Sequence, residues 1–389
     1  MRVIGTEKLP IKMWLQYLED GAEEQAKHLA NLPFAFHHVA IMADSHFGYG
    51  MPIGGVLATK GVVIPNAVGV DIGCGMIAVK TNLTELDSET LKRVMGLVRK
   101  RIPVGMNRHG EAQNNDFMPG HPDVRGQKLP IVRREYDSAL TQVGTLGGGN
   151  HFIEIQYGDD GHVWIMIHSG SRNIGLKVAK HYNDLAKSLN EKWHTGIAPS
   201  WDLAFLPADS EEGQLYISEM NYCVEFALAN RKLMMNRVVD SFLDVLGSIT
   251  TAPMINIAHN YAAIENHFGA NVWVHRKGAT KASQDLLGII PGSQGAKSYI
   301  VQGKGNKESF RSCSHGAGRK LSRTKARSTL NLEEEIAKLD AAGVIHSIRN
   351  QQDLDEAAGA YKPIDEVMAN QVDLVDKLVE LSPLAVIKG

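Results

Sequence analysis

Val163-Trp164-Ile165-Met166-Ile167, followed at once by His168-Ser169-Gly170-Ser171-Arg172, joins an apolar run of strand length to a glycine-flanked polar turn. Such a run bounded by turn formers reads as a buried strand. His168 stands at its exit, where a side chain can project into a cleft. The same arrangement recurs upstream. Gly147-Gly148-Gly149-Asn150-His151 leads into Phe152, Glu154 and Gln156 alternating with Ile153 and Ile155, the period of a half-buried strand. Asp71-Ile72-Gly73-Cys74-Gly75 follows a stretch rich in Gly, Val and Ile over residues 54–70. His259-Asn260 and Ser314-His315-Gly316-Ala317-Gly318-Arg319 complete the set. Glycine lets the backbone turn sharply and lets a ligand approach the main chain. An acid, a thiol and several imidazoles at such turns suggest one polynuclear metal site assembled from distant segments.

Helical patterns surround these strands. Residues 19–32 and 83–101 are amphipathic, the second with Leu86, Leu91, Val94, Met95 and Val98 on one face. Glu211–Leu246 reads as largely helical, and a helical tail is expected from about Asn331. Val39-Ala40-Ile41-Met42 reads as a short buried strand ending at Asp44-Ser45-His46, and residues 106–126 as a long exposed polar loop. Strands and helices mix irregularly and not as repeated βαβ units, so the expected class is α+β. No linker or internal repeat divides the chain, and the candidate site residues span it. One catalytic domain over residues 1–389 is expected.

With 389 residues, 43% hydrophobic and 22% charged, the composition is that of a globular protein. No basic stretch followed by an apolar run opens the chain, and no segment approaches the roughly 20 apolar residues that span a bilayer. Three cysteines, Cys74, Cys223 and Cys313, make no disulfide framework, so a cytoplasmic protein without membrane contact is expected. Cys223 and Cys313 read as structural. The net charge of −2 conceals an asymmetry. Residues 276–327 hold twelve Lys/Arg against Asp285 and Glu308, a balance of +10, while residues 331–389 hold twelve acids and five bases, a balance of −7. The basic stretch, Lys304 and Lys307 included, has the footprint of polyanion binding. A surface compensated by the acidic tail is the plainer reading.

Asp71 and Cys74 lie three apart in a loop with two glycines, so a carboxylate and a thiolate that can bridge two ions reach one small volume. His151, His168 and His259 stand beside glycine turns or at strand ends, although any one of them taken alone reads more readily as a hydrogen-bonded core or surface histidine. Thiolate with imidazole points to zinc, iron or cobalt, carboxylate and water to manganese or magnesium, and the spacing favours zinc. His315 precedes Gly316-Ala317-Gly318, after which residues 319–327 have helix-like spacing. A helix starting there would offer free N–H groups to a phosphate. The imidazole could then serve as acid/base, ligand or nucleophile. An ordinary helix start with an exposed histidine is the bland alternative.

These motifs, taken in order, resemble the RtcB family of GTP- and metal-dependent RNA ligases. The likeness rests on Gly69-Val70-Asp71-Ile72-Gly73-Cys74-Gly75, Gly144-Thr145-Leu146-Gly147, Gly149-Asn150-His151-Phe152-Ile153-Glu154, the His168–Arg172 segment, and Ser312-Cys313-Ser314-His315-Gly316-Ala317-Gly318-Arg319. It runs from Met13 to Val386-Ile387-Lys388-Gly389. The resemblance implies two manganese ions in place of zinc, one on Asp71, Cys74 and His151 and one on Cys74, His168 and His259. It implies GTP as cofactor and His315 as the guanylylated residue. The guanylate pocket it implies comprises Asn150, His151, Phe152, Ile153, Glu154, His259, Asn260, Pro291, Gly292, Ser293, Gln294, Ser298, His315, Gly316, Ala317, Gly318, Tyr361 and Lys388, with Tyr361 on the guanine. Arg172 and the basic stretch would meet the RNA backbone. The implied RNA ends are a 2′,3′-cyclic phosphate or 3′-phosphate and a 5′-hydroxyl, in repair or tRNA splicing. No residue pattern specifies an activating protein partner. Ser45 in Asp44-Ser45-His46, Gln294 and the 106–126 loop depart from the family's usual pattern. A metal-dependent hydrolase of RNA cyclic phosphates and a non-catalytic RNA-binding subunit are the alternative readings.

Overall fold

The alternation at residues 152–156 becomes the strand Phe152–Gly158, antiparallel to Val163–Ser169 on one side and to Val375–Lys388 on the other. The computed structural model describes residues 1–126 and 128–389. It shows an α+β molecule built on two large sheets. The seven-stranded sheet runs, edge to edge, Ile255–Ala258, Gly75–Lys80, Val163–Ser169, Phe152–Gly158, Val375–Lys388, Ser298–Gly303 and Leu287–Ile290, all antiparallel. Side chains alternate across a strand, and the two faces have different work. Ile77, Val79, Ile153, Ile155, Ile165 and Ile167 pack against Val94, Met95, Met234 and Val238 of two helices, Ser88–Arg101 and Glu211–Leu246. The opposite parity (Cys74, Phe152, Glu154, His168) faces the cleft.

The six-stranded sheet runs Arg2–Ile4, Ile11–Met13, Ala35–His46, Ile53–Thr59, Ala270–Lys277 and Asn260–His267. Its parallel pair, Ile11–Met13 with Ala35–His46, is joined through the helix Asp20–Ala30, the crossover that parallel neighbours require. The strand expected over residues 39–42 thus extends to His46 and delivers the buried Asp44 behind His315. The 36-residue helix Glu211–Leu246 is capped by the Ser210 side chain, which accepts from Gly213 N–H, and stops at Gly247, φ 78°. Ser88–Arg101 begins later than its apolar pattern, because Asp87 Oδ1 accepts from the N–H groups of Glu89 and Thr90. Residues 106–126 form a largely exposed segment with short 3-10 turns at Asn115–Phe117 and Pro122–Val124.

Three expectations are corrected. The tail is helical only at Leu332–Ala341 and Ile364–Ala369; its last element is the 14-residue strand Val375–Lys388, inside the larger sheet. Val375, Val379, Val386 and Ile387 favour a pleated surface, and Pro383, which has no N–H to give, lies where the register shifts. Residues 319–327 are not one helix: Arg323–Thr329 begins at the Ser322 cap, and His315 instead follows the strand Ser312–Ser314. The basic stretch is mostly compensated. Arg276 and Lys281 meet Glu265, Lys297 meets Glu380, Lys304 meets Asp376, Arg319 and Arg323 meet Glu356, and Arg327 meets Asp355. Four of those five carboxylates belong to the acidic tail, so the compensated-surface reading describes most of the stretch. Among the described residues no helix is long and apolar enough to cross a membrane.

Candidate metal and nucleotide site

A cleft of about 860 Å³ opens between the two sheets. At its floor Cys74 Sγ lies 3.3 Å from His168 Nε2 and 3.5 Å from His151 Nε2. His151 Nε2 is 3.1 Å from Asp71 Oδ2, and His168 Nε2 is 3.4 Å from His259 Nε2. Two donor triads result, Asp71–Cys74–His151 and Cys74–His168–His259, sharing the one sulfur.

The chain converges here for local reasons. Cys74 N–H donates to Asp71 O, closing the turn, and His259 N–H donates to Cys74 O from the neighbouring strand. Asn260 Nδ2 donates to Asp71 O, while its Oδ1 accepts from Gly278 N–H. Gly147, at φ 94°, could carry no side chain: a Cβ there would stand 2.4 Å from His151 Nδ1. His168 Nδ1 contacts Asn150 O at 3.0 Å, which aims Nε2 at the sulfur.

Burial drives His168 and His259 well below the ordinary imidazole range, leaving them in the neutral form that ligates metals. Burial likewise pushes the Cys74 thiol up, with Asp71 adding to the shift and Arg231 opposing it. A thiolate at this depth needs cationic company. The buried Nδ1 atoms of His151 and His259 have no hydrogen-bond partner, and five soft and hard donors form two groups around one sulfur. This donor set fits divalent transition metals.

His315 stands beside the second triad, its ring centroid 4.7 Å from that of His259. Its Nδ1 lies 2.6 Å from Oδ2 of the fully buried Asp44, which also accepts from the N–H groups of His315 and Gly316 at 3.0 and 3.1 Å. Burial alone would raise the Asp44 carboxyl, but His315 holds it below its ordinary value. Nδ1 thus faces Asp44, and Nε2 is the ring nitrogen on the other side of the imidazole. Gly318 makes the approach possible: at φ 73° a Cβ would fall 2.0 Å from Asp44 O.

His315, Phe152, Glu154, the turn Pro291 to Gln294, Tyr361 and Lys388 line the cleft. Asn150, His259, Asn260, Gly316, Ala317 and Gly318 also line the cleft. Burial raises Glu154 to about 8, with Gln156 and Lys388 opposing. Lys388 reaches over Phe152, Nζ 5.7 Å from the ring centroid, because the two residues pair across adjacent strands. Tyr361 donates its hydroxyl proton to Glu356 and lies under the Arg319 guanidinium, 5.0 Å away. Two expected pocket residues point elsewhere. The Ile153 side chain faces the helical layer, and Ser298 sits behind the Pro291 turn, its Oγ accepting from Gly292 N–H. His151 joins the donor triad with Asp71 and Cys74 and does not line the cleft. Arg172 is also occupied, donating to Thr145 Oγ1 and Gly105 O. Cys223 and Cys313 are buried in the core.

The sequence reading missed Asp44, Asn230 and Arg231. Asn230, on the long helix, ties the backbone of Gly144 and Thr145 to Gly170 O. Arg231 is fully buried and donates to Gly73 O and Ser169 O behind the cysteine loop. An Asn-Arg pair in the buried stripe of a helix was the available signal, since such groups are rarely enclosed without a task.

Two donor triads thus share one sulfur and lie beside a histidine held against a buried carboxylate. The family model described as tRNA-splicing ligase RtcB matches residues 25–389. The RNA-splicing ligase RtcB of Escherichia coli K12 is 40% identical over 411 positions, covering 100% of this chain and 99% of that protein. The tRNA-splicing ligase RtcB of Nanoarchaeum equitans is 33% identical over 462 positions, and that of Thermococcus kodakarensis 31% over 463, each covering 100% of this chain and 95% of the relative. The chain belongs to the RtcB family of RNA ligases.

Proposed function

We propose that this enzyme joins RNA ends bearing a 3′-phosphate or 2′,3′-cyclic phosphate to 5′-hydroxyl ends, using GTP and a guanylylated His315. The observation that supports this reading is the Asp44–His315 contact, set against His259 in a cleft also lined by Phe152, Glu154, Tyr361 and Lys388. A cyclic-phosphate hydrolase needs neither an oriented nucleophilic imidazole nor a nucleobase pocket.

Manganese ions held by the two triads would act as Lewis acids on the nucleotide phosphates. His315 Nε2 attacks the α-phosphorus of GTP; a P–N bond forms, the bond to the β-phosphate oxygen breaks, and pyrophosphate leaves. Asp44 holds Nδ1–H and stabilises the charge that develops on the ring. An oxygen of the RNA 3′-phosphate then displaces His315, giving RNA(3′)pp(5′)G. The 5′-hydroxyl oxygen of the second strand attacks the RNA phosphorus, GMP leaves, and the phosphodiester is closed. A cyclic end is first opened by water to the 3′-phosphate. The expected result is joining of a 3′-phosphate strand to a 5′-hydroxyl strand with GTP and not with ATP. A 3′-hydroxyl offered to a 5′-phosphate should stay unjoined, since it has no phosphate to take the guanylate. ATP-dependent joining of 5′-phosphate ends would overturn the reading.

Glu154 and Lys388 provide for base choice: a carboxylate accepts from guanine N1–H and N2–H, and the ammonium donates to O6. In the free enzyme Glu154 titrates at about 8, so below that pH it is largely protonated. Guanine binds the ionised form, so GTP binding releases a proton there. Affinity should rise with pH, approaching tenfold per unit below about pH 8, and level off above it. Glu154→Gln should bind GTP weakly and lose that slope. A Glu154→Gln slope equal to wild type, measured by calorimetry, would remove Glu154 from guanine recognition.

A further inference from the structure

Part of the cleft lining has no role in the mechanism above: Gly278, Ile53, Val70, Phe47 and Tyr49. Gly278 ties these residues to the reaction centre, since a Cβ there would stand 2.4 Å from Ile53 and 3.0 Å from His315 Cε1. The turn after His46 is held firmly by its backbone. Phe47 N–H donates to Glu19, Gly48 exchanges hydrogen bonds with the buried Gln25 amide in both directions, and the buried Lys277 ammonium donates to Tyr49 O. Gly50, at φ 68°, packs so closely that a Cβ would lie 2.5 Å from Asp202 O. On this fixed turn two aromatic rings are left in solvent, Phe47 at 56% and Tyr49 at 73% exposure. Fixed backbone with exposed rings is the arrangement of a preorganised binding surface, because the ordering cost falls before the ligand arrives.

We propose that Phe47 and Tyr49 form a stacking platform for the terminal nucleobases of the 3′-phosphate RNA strand, placing its phosphate beside His315. This rests on the ligase reading. On that reading guanosine occupies the side of Glu154, Tyr361 and Lys388, and the unassigned lining of the same cleft is left for the strand that accepts the guanylate. Every nucleobase has a π-face, so stacking grips the end of any sequence, as an RNA-joining enzyme requires. Phe47 and Tyr49 are positioning residues and touch none of the reacting atoms.

The test uses the full chain loaded with manganese. A 3′-phosphate oligonucleotide with 2-aminopurine as its last base should be quenched on binding wild type and much less by Phe47→Ala/Tyr49→Ala. Each single alanine should weaken binding of that strand about fivefold or more, and Phe47→Tyr and Tyr49→Phe should restore it. The guanylylation half-reaction uses no RNA and serves as the control for folding. Removing the last two bases to leave abasic sugars should cost wild type as much as the double alanine variant does, and cost that variant nothing more. Unchanged affinity and quenching in a guanylylating double variant would overturn the platform and leave the ligase reading standing. Selective weakening of the 5′-hydroxyl strand would also overturn it. Failure of wild type itself to guanylylate or join RNA would instead undo the ligase reading.

Discussion

His315→Ala should abolish covalent GMP labelling by α-labelled GTP, a loss of about three orders of magnitude or more for a deleted nucleophile. The wild-type adduct should be acid-labile and alkali-stable, the signature of a P–N bond. The same variant should still join a 3′-phosphate strand supplied already as RNA(3′)pp(5′)G, because the closing step uses the metal and RNA sites and not the imidazole. That pairing of outcomes separates chemistry from folding. Asp44→Asn belongs beside it: it keeps the shape but leaves Nδ1 without an anionic acceptor, so labelling should slow while GTP binding holds. Normal labelling of His315→Ala would sink the assignment; failure of that variant to seal the activated strand would show that His315 does more than carry the guanylate.

The parts of this site written as local chemistry were readable in the sequence. Glycine turns marked Asp71, Cys74, His151, His168 and His259, and strand periodicity placed Phe152 and Glu154 on one face; the structure brings all five proposed donors together. What periodicity cannot show is which distant strand lies alongside. The sequence reading puts Val375–Lys388 in a helical tail, and only pairing with Phe152–Gly158 explains its place. Asp44 escaped for the same reason: its importance lies in contact with His315, 271 residues away in sequence. The charge asymmetry was real, but charge along the chain is silent about partners. Lys304, a natural choice for an RNA contact, spends its ammonium on Asp376 and Val372 O. Removing Lys304 therefore tests a salt bridge before it tests RNA binding.

Cys74→Ala should release both metals, because the one sulfur belongs to both triads. After the substitution each ion would face two protein donors, Asp71 with His151 or His168 with His259, too few to compete with water and buffer. Manganese content after loading and desalting should fall from roughly two equivalents to near none, whereas His259→Ala, which breaks one triad, should retain about one. Heat stability gives an independent reading. Manganese should raise the unfolding temperature of wild type, growing with the logarithm of its concentration above the dissociation constant, and leave that of Cys74→Ala almost unmoved. The metal-free alanine variant should fold, since it removes a buried thiol that burial already keeps protonated. Its loss of metal is then a statement about ligation and not about the fold. Two full equivalents retained by Cys74→Ala would show that the ions do not share this sulfur, and the paired site would have to be redrawn around Asp71 and the three histidines.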